Sequence, residues 1–124
     1  MEVPRPAATT FEDLIVWQKA HQLVLNVYTL TRSLPKEELF GLVSQMRRSA
    51  VSIPANIAEG FKRRGRADKA RHMNIAQGSL EELRYHFILC GDLDYLKKGT
   101  AAEQIAEVGR LLNAYTQSLQ ASTP

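Results

Sequence analysis

Residues 45–60 read Gln-Met-Arg-Arg-Ser-Ala-Val-Ser-Ile-Pro-Ala-Asn-Ile-Ala-Glu-Gly, and this stretch decides the fold. Its apolar residues Met46, Ala50, Ile53 and Ile57 recur at steps of four, three and four, the spacing of one face of an α-helix. Pro54 lies inside this pattern, and the spacing continues in phase on both sides of it. We therefore predict one long amphipathic helix with a kink at Pro54 rather than two helices joined by a loop.

The remaining sequence predicts three more helices and no convincing strand. Apolar residues recur at helical spacing over residues 10–32, 66–92 and 100–120, in addition to the kinked segment at 36–64. Alternating steps of three and four favour nearly parallel helix axes, and short connections make sequential helices antiparallel neighbours. We therefore predict an all-α protein, an antiparallel up-down-up-down four-helix bundle whose second helix is kinked at Pro54.

The same pattern predicts the domain boundaries. Residues 11–121 form the four-helix bundle, residues 1–10 a flexible N-terminal arm, and residues 122–124 a tail. Thr10 is a candidate cap for the first helix, and Gly65 is a candidate C-terminal cap for the second. One domain with one core suits a chain of 124 residues.

One apolar stripe of each predicted helix is assigned to the core. The core residues, from the first helix to the fourth, are Leu14, Trp17, His21, Val24, Tyr28 and Thr31; Leu39, Val43, Met46, Ala50, Ile53, Ile57 and Phe61; Met73, Ala76, Leu80, Leu83, Phe87 and Cys90; and Ala101, Ile105, Val108, Leu112, Tyr115 and Leu119. A second apolar set misses these stripes: Ile15, Leu23, Leu25, Val27, Val51, Ile75, Ile88 and Leu89. A wide core face and a subunit interface both explain this second set, and the sequence leaves the two interpretations open.

Composition and cysteine content restrict the class of protein. The hydrophobic share of 44% and the charged share of 23% are typical of a globular domain. No apolar run approaches the ~18 residues of a membrane-spanning helix, and the first ten residues lack the features of a secretory signal. Cys90 is the only cysteine, which excludes an internal disulfide and fits a reducing compartment. We therefore expect a cytoplasmic protein without membrane contact.

Positive charge is concentrated in one part of the chain. Residues 45–72 carry eight basic and two acidic residues, a net charge of +6, whereas the whole chain carries +3, so the remainder is −3. The predicted nucleic-acid-binding residues are the basic residues of this segment: Arg47, Arg48, Lys62, Arg63, Arg64, Arg66, Lys69 and Arg71. Clustered cations attract phosphate and release its counterions. The alternative is a solvated turn whose cations interact with a helix dipole.

The sequence contains no constellation typical of catalysis or metal binding. Residues 60–67 have two glycines at phosphate-loop spacing but lack the Lys-Ser/Thr pair and a preceding strand. Glu82 with His86, and Asp68 with His72, supply only two ligands each, whereas a metal site in a bundle needs more. We therefore expect no enzyme activity, no cofactor and no metal.

Three polar residues lie close to Pro54: Ser52, Asn56 and Glu59. Hydroxyl groups such as that of Ser52 can bond to the backbone near the proline. The side chains of Asn56 and Glu59 can bond across to another helix or to another subunit. We favour this structural role over a ligand site.

Several motifs resemble those of a known family. They are Trp17-Gln18-Lys19-Ala20, Leu34-Pro35, Phe40-Gly41-Leu42, the whole of residues 45–60, and Ile75-Ala76-Gln77-Gly78-Ser79-Leu80-Glu81-Glu82-Leu83. Together they resemble the four-helix bundle family of bacterial proteins encoded in intervening sequences of 23S ribosomal RNA genes. The accessory variability determinant of diversity-generating retroelements is similar. The resemblance covers about residues 11–96, and the fourth helix matches only by its periodicity.

The resemblance implies a ring-forming homopentamer with a basic central channel. For the retroelement relative it implies binding of nucleic acid and of a reverse transcriptase. Our leading hypothesis is a non-enzymatic, ring-forming four-helix bundle that binds the backbone of RNA or DNA through a basic surface. A protein-protein interaction adaptor without direct nucleic-acid contact, with a partner such as a reverse transcriptase, is the main alternative. A structural oligomer without any ligand is the third.

Overall fold

The computed structural model describes residues 7–121 and contains four α-helices within them. These are α1 (Ile15–Thr31), α2 (Ser44–Lys62), α3 (Arg66–Asp92) and α4 (Ala102–Ala121). No strand occurs among these residues, which confirms the predicted all-α class, and none of their helices has the length and apolar character that crossing a bilayer requires. Residues 1–6 of the predicted arm and the predicted tail at 122–124 lie outside the described residues.

Helices α2 and α3 pack against each other in opposite directions. Near the start of α2, the sulfur of Met46 lies 3.6 Å from Sγ of Cys90, close to the end of α3. Farther along α2, Oγ of Ser52 lies 2.8 Å from Oγ of Ser79. As the residue number increases along α2, the number of the contacting residue on α3 decreases. The two helices are therefore antiparallel.

Helix α4 closes the bundle against α1. Nδ2 of Asn26 donates to Oε1 of Gln104 at 2.7 Å, and Nζ of Lys19 lies 3.9 Å from Oε1 of Glu107. Here too the residue numbers run in opposite directions along the two helices.

Thr31, at the end of α1, bonds to Arg47 near the start of α2, whereas Trp17, near the start of α1, lines the same depression as Ala58 near the end of α2. Helices α1 and α2 are therefore antiparallel as well, and the four helices form an up-down-up-down bundle.

Apolar side chains from all four helices form one core. The predicted α3 stripe is buried at every position from Met73 to Cys90. On α2 and α4 the middle of each predicted stripe is buried. These residues are Met46, Ala50, Ile53, Ile57, Ile105, Val108 and Leu112, and Val43, which lies just before α2, is buried as well. Burying one large aliphatic side chain contributes about 1.5–3 kcal/mol, so these stripes are the main source of stability.

The predicted core stripe of α1 is wrong in part: Val24 and Thr31 are buried as predicted, but other members are not. His21 and Tyr28 are exposed, whereas Leu23 and Val27, which the sequence placed in the second apolar set, are fully buried. Two apolar stripes compete on this helix, and the compact aliphatic side chains fill the interior. The aromatic stripe lies at the edge, where Trp17 stacks on His21 with ring centroids 5.0 Å apart. The buried residues of α1 are Val16, Ala20, Leu23, Val24, Val27 and Thr31.

Helix α1 also begins later than predicted. A 3₁₀ turn at Phe11–Asp13 precedes it. The Asp13 carboxylate closes this turn because it accepts hydrogen bonds from the backbone N–H groups of Thr9 (2.9 Å) and Thr10 (3.1 Å) and from the Thr9 hydroxyl (2.9 Å). The same bonds, those from the backbone first, hold the pKa of Asp13 below its ordinary value. Thr10 therefore begins the 3₁₀ turn and does not cap α1.

The segment before α2 differs from the predicted continuous helix starting at residue 36. A 3₁₀ turn at Lys36–Glu38 leads into a π-helical turn at Leu39–Val43. The Glu38 carboxylate fixes this geometry. It accepts from the backbone N–H of Leu42 at 3.3 Å and from the hydroxyl of Tyr95 at 2.9 Å.

The π-helical turn changes which side chains face the core. A π turn holds more residues than an α turn, so it shifts the phase of the residues within it. Leu39, predicted as a core residue, is 49% exposed, and Phe40 is 93% exposed. Two large apolar side chains therefore face solvent at this end of the bundle.

Helix α2 runs without a break through Pro54, as the in-phase spacing predicts. Pro54 is itself buried, and its neighbours Ile53 and Ile57 are fully buried. One continuous helix therefore presents the core residues on both sides of the proline. The kink at Pro54 stays a prediction.

Helices α2 and α3 approach each other closely at Gly60. A Cβ atom at this position would lie 2.9 Å from Cβ of His72 and 2.7 Å from Cε of Met73. The Met73 methyl can move aside, but Cβ of His72 moves only with the α3 backbone. At Gly78 of α3, by contrast, a Cβ atom would meet nothing within 4 Å. The absence of a side chain at Gly60 is therefore what allows α2 and α3 to approach.

Alanine should have opposite effects at these two glycines. We expect Gly60→Ala to lower the free energy of unfolding by about 1–3 kcal/mol, because overpacking outweighs the better helix propensity of alanine. Gly78→Ala should raise it by about 0.5–1 kcal/mol, because the site is open and helical. Urea melts followed by circular dichroism measure both values. A Gly60→Ala protein as stable as the wild type would contradict the close approach.

Candidate nucleic-acid interface

The structure divides the eight predicted basic residues between two places. Arg47 and Arg48 lie in the first turns of α2, whereas the others lie at the α2–α3 turn and in the first turns of α3. Between Arg48 and Lys62 the helix rises by roughly 21 Å, at about 1.5 Å per residue. The predicted set is therefore two separate groups and not one continuous surface.

Arg47 belongs to the packing between α1 and α2. Its Nε donates to Oγ1 of Thr31 at 2.9 Å, and its Nη2 donates to the carbonyl oxygen of Tyr28 at 3.4 Å. Its guanidinium carbon also lies 4.6 Å from the centroid of the Tyr28 ring, a cation–π contact. Thr31 in turn donates its hydroxyl to the carbonyl of Val27 at 2.7 Å. Arg47 is half-buried, and these contacts give it a structural role in the packing of α1 on α2.

The two neighbouring arginines differ because of their positions on the helix. Arg47 follows the core residue Met46 and projects toward α1, whereas Arg48 points about 100° farther round the helix. Arg48 is exposed, and its side chain bonds to no other residue within residues 7–121. The position of Arg47 directly after the core residue Met46 could have indicated from the sequence that its side chain packs against a neighbouring helix. Its partners Thr31 and Tyr28 could not be predicted in this way, because they belong to another helix.

The turn between α2 and α3 is short and exposed. Helix α2 ends at Lys62, Arg63 has an extended backbone (φ −69°, ψ 150°), and α3 begins at Arg66. Gly65 has a φ of −90° and directly precedes α3. It is therefore the N-terminal flanking residue of α3 and not the C-terminal cap predicted for α2.

Lys69 stabilises this turn from the first turn of α3. Its Nζ donates to the carbonyl oxygens of Phe61 at 2.7 Å and Gly60 at 3.3 Å, and it lies 5.6 Å from the centroid of the Phe61 ring. The last carbonyls of a helix lack intrahelical partners and form the negative end of the helix dipole. Lys69 therefore satisfies the end of α2 and has a structural role.

Two other predicted residues pair with nearby carboxylates. Nη2 of Arg63 lies 2.8 Å from Oε1 of Glu59, and Nη2 of Arg71 lies 3.2 Å from Oδ1 of Asp68. These four side chains are between 43% and 61% exposed. Exposed ion pairs contribute only about 0.2–1 kcal/mol, so a phosphate group can replace the carboxylate at little cost.

Four cationic side chains lie on the solvent side of the turn. They are Lys62, Arg63, Arg64 and Arg66, all exposed, and we call them the turn cations. The planar guanidinium of arginine forms paired hydrogen bonds with phosphate oxygens. The first turn of α3 adds the positive end of a helix dipole, and Gly65 has no side chain that could cap it. The arrangement is chemically suited to bind phosphate groups.

A row of polar side chains joins α2 to α3 beside this turn. Oγ of Ser52 lies 2.8 Å from Oγ of Ser79, and Oδ1 of Asn56 lies 3.1 Å from Nδ1 of His72. Nδ2 of Asn56 also donates to the Ser52 carbonyl at 2.8 Å. Oε2 of Glu59 lies 3.9 Å from Nδ1 of His72. Asn56 therefore bonds across to another helix, as predicted, whereas the Ser52 hydroxyl bonds to side chains and not to the backbone near the proline.

Two histidines and the cysteine on α3 are buried. Nε2 of His72 and Nδ1 of His86 are enclosed and have no hydrogen-bond partner within residues 7–121. Burial raises the pKa of the Cys90 thiol, which disfavours the reactive thiolate. In the described part of the chain, no three residues of the types His, Cys, Asp and Glu are grouped to hold a metal ion. We assign these three side chains to packing.

The two neighbouring arginines should differ in their effect on stability. Arg47→Ala should lower the free energy of unfolding by about 1–2 kcal/mol, because it removes the bond to Thr31 and the contact with the Tyr28 ring. Arg48→Ala, the matched control, should change it by less than about 0.5 kcal/mol. Urea melts of both variants provide the measurement, and equal losses of stability would show that Arg47 has no special role in packing.

Acid should destabilise the protein through His86. Burial lowers the pKa of His86 below that of the unfolded chain, and the nearby Glu82 only partly opposes this. The folded state therefore binds this proton less readily than the unfolded state. The resulting stability is complete above about pH 6.5 and is lost as the pH falls through the folded-state pKa.

The measurement is the urea midpoint as a function of pH on both sides of about 6.5. In His86→Gln this titration is absent, so the decline on acidification should be shallower than in the wild type. A decline of the same steepness in both proteins would rule out His86 as its source.

Comparison with known proteins agrees with this fold. A family model described as 23S rRNA-intervening sequence protein matches residues 12–115. No curated protein matches the chain at a significant level. The matched residues extend from the 3₁₀ turn before α1 into the later turns of α4, and they include the turn cations. The chain therefore belongs to the family of 23S rRNA-intervening sequence proteins, as its motifs predict.

Proposed function

We propose that this protein is a non-enzymatic, ring-forming four-helix bundle that binds the phosphate backbone of RNA or DNA through the turn cations. The observation that carries the proposal is the exposure of four cationic side chains on one short turn. Two packed helices, α2 and α3, hold the backbone of this turn from both sides. The description of the family as 23S rRNA-intervening sequence proteins makes ribosomal RNA the first ligand to test.

Electrostatics sets the mode of binding. A phosphate group displaces the exposed carboxylate of Glu59 from Arg63 and contacts the neighbouring cations. Each such contact releases counterions from the nucleic acid, so affinity falls steeply with salt. A ring places one turn per copy around a common centre, and weak contacts then add through avidity. The homopentamer with a basic central channel, expected from the resemblance, is part of this proposal.

Recognition of particular bases is not part of the proposal. The aromatic residue nearest the turn cations in sequence is Phe61, and Nζ of Lys69 lies over its ring at 5.6 Å. Single-stranded bases are usually recognised by stacking on free aromatic faces. Contacts to phosphate alone predict binding that tolerates many sequences.

A protein-protein interaction adaptor without direct nucleic-acid contact is the second candidate. Exposed apolar side chains favour it, among them Phe40 at 93% and Leu25 at 55% exposure. A protein partner such as a reverse transcriptase would bury such side chains. Binding through an apolar interface depends little on salt, whereas binding to a phosphate backbone depends on it steeply.

Fluorescence anisotropy with a labelled ribosomal RNA fragment, repeated at several salt concentrations, tests the proposal. The variant Arg63→Glu/Arg64→Glu/Arg66→Glu reverses three of the four turn cations. We expect the wild type to bind with an affinity that falls as salt rises. In the variant, the slope of log affinity against log salt should shrink by roughly 0.7–0.9 for each phosphate group that the protein no longer neutralises.

The matched control is Lys97→Glu/Lys98→Glu/Arg110→Glu. It makes the same change in net charge at exposed positions of the α3–α4 connection and of α4. An equal reduction of affinity in the two variants would mean that binding follows net charge and not the turn. Wild-type binding that is absent or indifferent to salt would contradict the proposal and favour the adaptor.

A further inference from the structure

Helices α3 and α4 leave a small pocket between them, close to the connection that joins them. Phe87 and Ile88 of α3 form one wall, and Ala102, Ile105 and Ala106 of α4 form the other. Phe87 and Ile105 are buried, whereas Ile88 is 49% exposed, so the pocket has an apolar floor and opens to solvent on one side. Its volume is about 200 Å³, and we call it the α3–α4 pocket.

The sequence of α4 leaves this space open. Ala102 and Ala106 are one helical turn apart, so their short side chains lie on the same face of α4, where longer side chains would fill the gap to α3. Farther along α4 the two helices are closer, because a Cβ atom at Gly109 would already lie 3.5 Å from Cδ2 of Leu80. The pocket is therefore confined to the start of α4.

The connection between α3 and α4 closes one end of the pocket, where Gly99 and Thr100 line it. The backbone turns sharply here, because Gly99 and Ala101 both have positive φ angles, of 87° and 64°. A positive φ is uncommon for a residue other than glycine. The pocket therefore has an apolar wall on each helix and a tightly turned backbone at its end.

Two polar side chains are found among the described residues that line the α3–α4 pocket. They are Arg84 of α3 and Thr100 of the connection. The Thr100 hydroxyl donates to the carbonyl oxygen of Lys97 at 2.6 Å, so its proton is already used. The guanidinium of Arg84, which carries five N–H donors, is therefore the side-chain group that offers hydrogen bonds to a molecule in the pocket.

The present partner of Arg84 is easily exchanged. Its Nη1 lies 3.1 Å from Oε1 of Glu81, and the two side chains are 57% and 72% exposed. Such an exposed ion pair contributes little to stability, so the carboxylate of a ligand can replace that of Glu81 at small cost. The positive end of the α4 dipole lies at the same pocket, because α4 begins at Ala102. Both features favour an anionic group next to the apolar walls.

The size and lining of the pocket together restrict the chemistry of a ligand. An apolar cavity of about 150 Å³ holds a benzene ring, so this pocket has room for one such ring, or a short branched chain, with one small polar group. A ring against Phe87, Ile88 and Ile105 removes apolar surface from water. An inorganic anion would gain only the ion pair with Arg84, and an uncharged hydrocarbon would gain only the burial.

We propose that the α3–α4 pocket binds a small aromatic or branched-chain monocarboxylate, whose hydrocarbon part packs against both helices and whose carboxylate pairs with Arg84. This site is separate from the turn cations, because Arg84 lies roughly 27 Å along α3 from Arg66, at about 1.5 Å per residue. Binding at the pocket therefore does not depend on binding of nucleic acid.

Benzoate is the probe, and its titration into the full-length protein is followed by proton–nitrogen correlation NMR spectra. We expect benzoate to shift the amide signals of Gly99, Thr100 and Ala106 saturably, because its ring lies beside them. Benzamide, an uncharged molecule of nearly the same shape, should bind at least about fivefold more weakly, because it lacks the charge that pairs with Arg84. Acetate, an anion without a ring, should cause no saturable shift of these signals.

A matched pair of variants tests the role of Arg84. Arg84→Gln should raise the dissociation constant of benzoate by about fivefold to tenfold and leave that of benzamide unchanged. Arg71→Gln is the control, because Arg71 also lies on α3 and also pairs with the carboxylate three residues before it, at 3.2 Å from Asp68, but does not line the pocket. Equal losses of benzoate affinity in the two variants would overturn the assignment of Arg84.

The variant Ala106→Phe tests the apolar part of the site. Its ring fills the pocket, so benzoate binding should be lost while circular dichroism melts show that the protein is folded. Benzoate that binds this variant as tightly as the wild type would overturn the proposal, and so would wild-type signals that benzoate does not move. Equal affinities for benzoate and benzamide would overturn the pairing of the carboxylate with Arg84. Acetate shifts that match those of benzoate would mean an adventitious ion only.

Discussion

Helices α2 and α3 approach so closely at Gly60 that a methyl group there would lie 2.9 Å from Cβ of His72. This approach brings the start of α3 within reach of the end of α2, so that Lys69 donates to the carbonyls of Gly60 and Phe61. With its last carbonyls satisfied, α2 ends abruptly and the chain reverses in a short turn. The turn cations lie on this short turn. Their position is therefore determined by the packing of α2 on α3.

The fold follows from the sequence wherever one apolar stripe stands alone on a helix, as on α3. On α1, periodicity identifies only part of the core. Two stripes have the same helical spacing, and the packing of the other helices determines that Leu23 and Val27 are buried. Periodicity also fails before α2. There the π-helical turn depends on the carboxylate of Glu38, which accepts from Tyr95 at 2.9 Å across 57 residues of chain. A local pattern contains no information about such a partner.

The candidate site was predictable as a region but not residue by residue. The sequence locates an excess of positive charge, yet it does not distinguish a cation that faces solvent from one that is used by the fold. Arg47 donates to Thr31 and lies over the Tyr28 ring, and Lys69 donates to a carbonyl at the end of α2. Net charge therefore overstates the surface that is open to a ligand.

Trp17 lies on the wall of an apolar depression between α1 and α2, where its ring stacks on His21 with an interplanar angle of 7° and meets Phe11 edge to face. It is the only tryptophan in the chain, so the indole fluorescence of the protein arises from this one position. Indole emission moves to shorter wavelength when water is removed from the ring. The indole emission therefore reports, without a label or a substitution, whether this depression is covered.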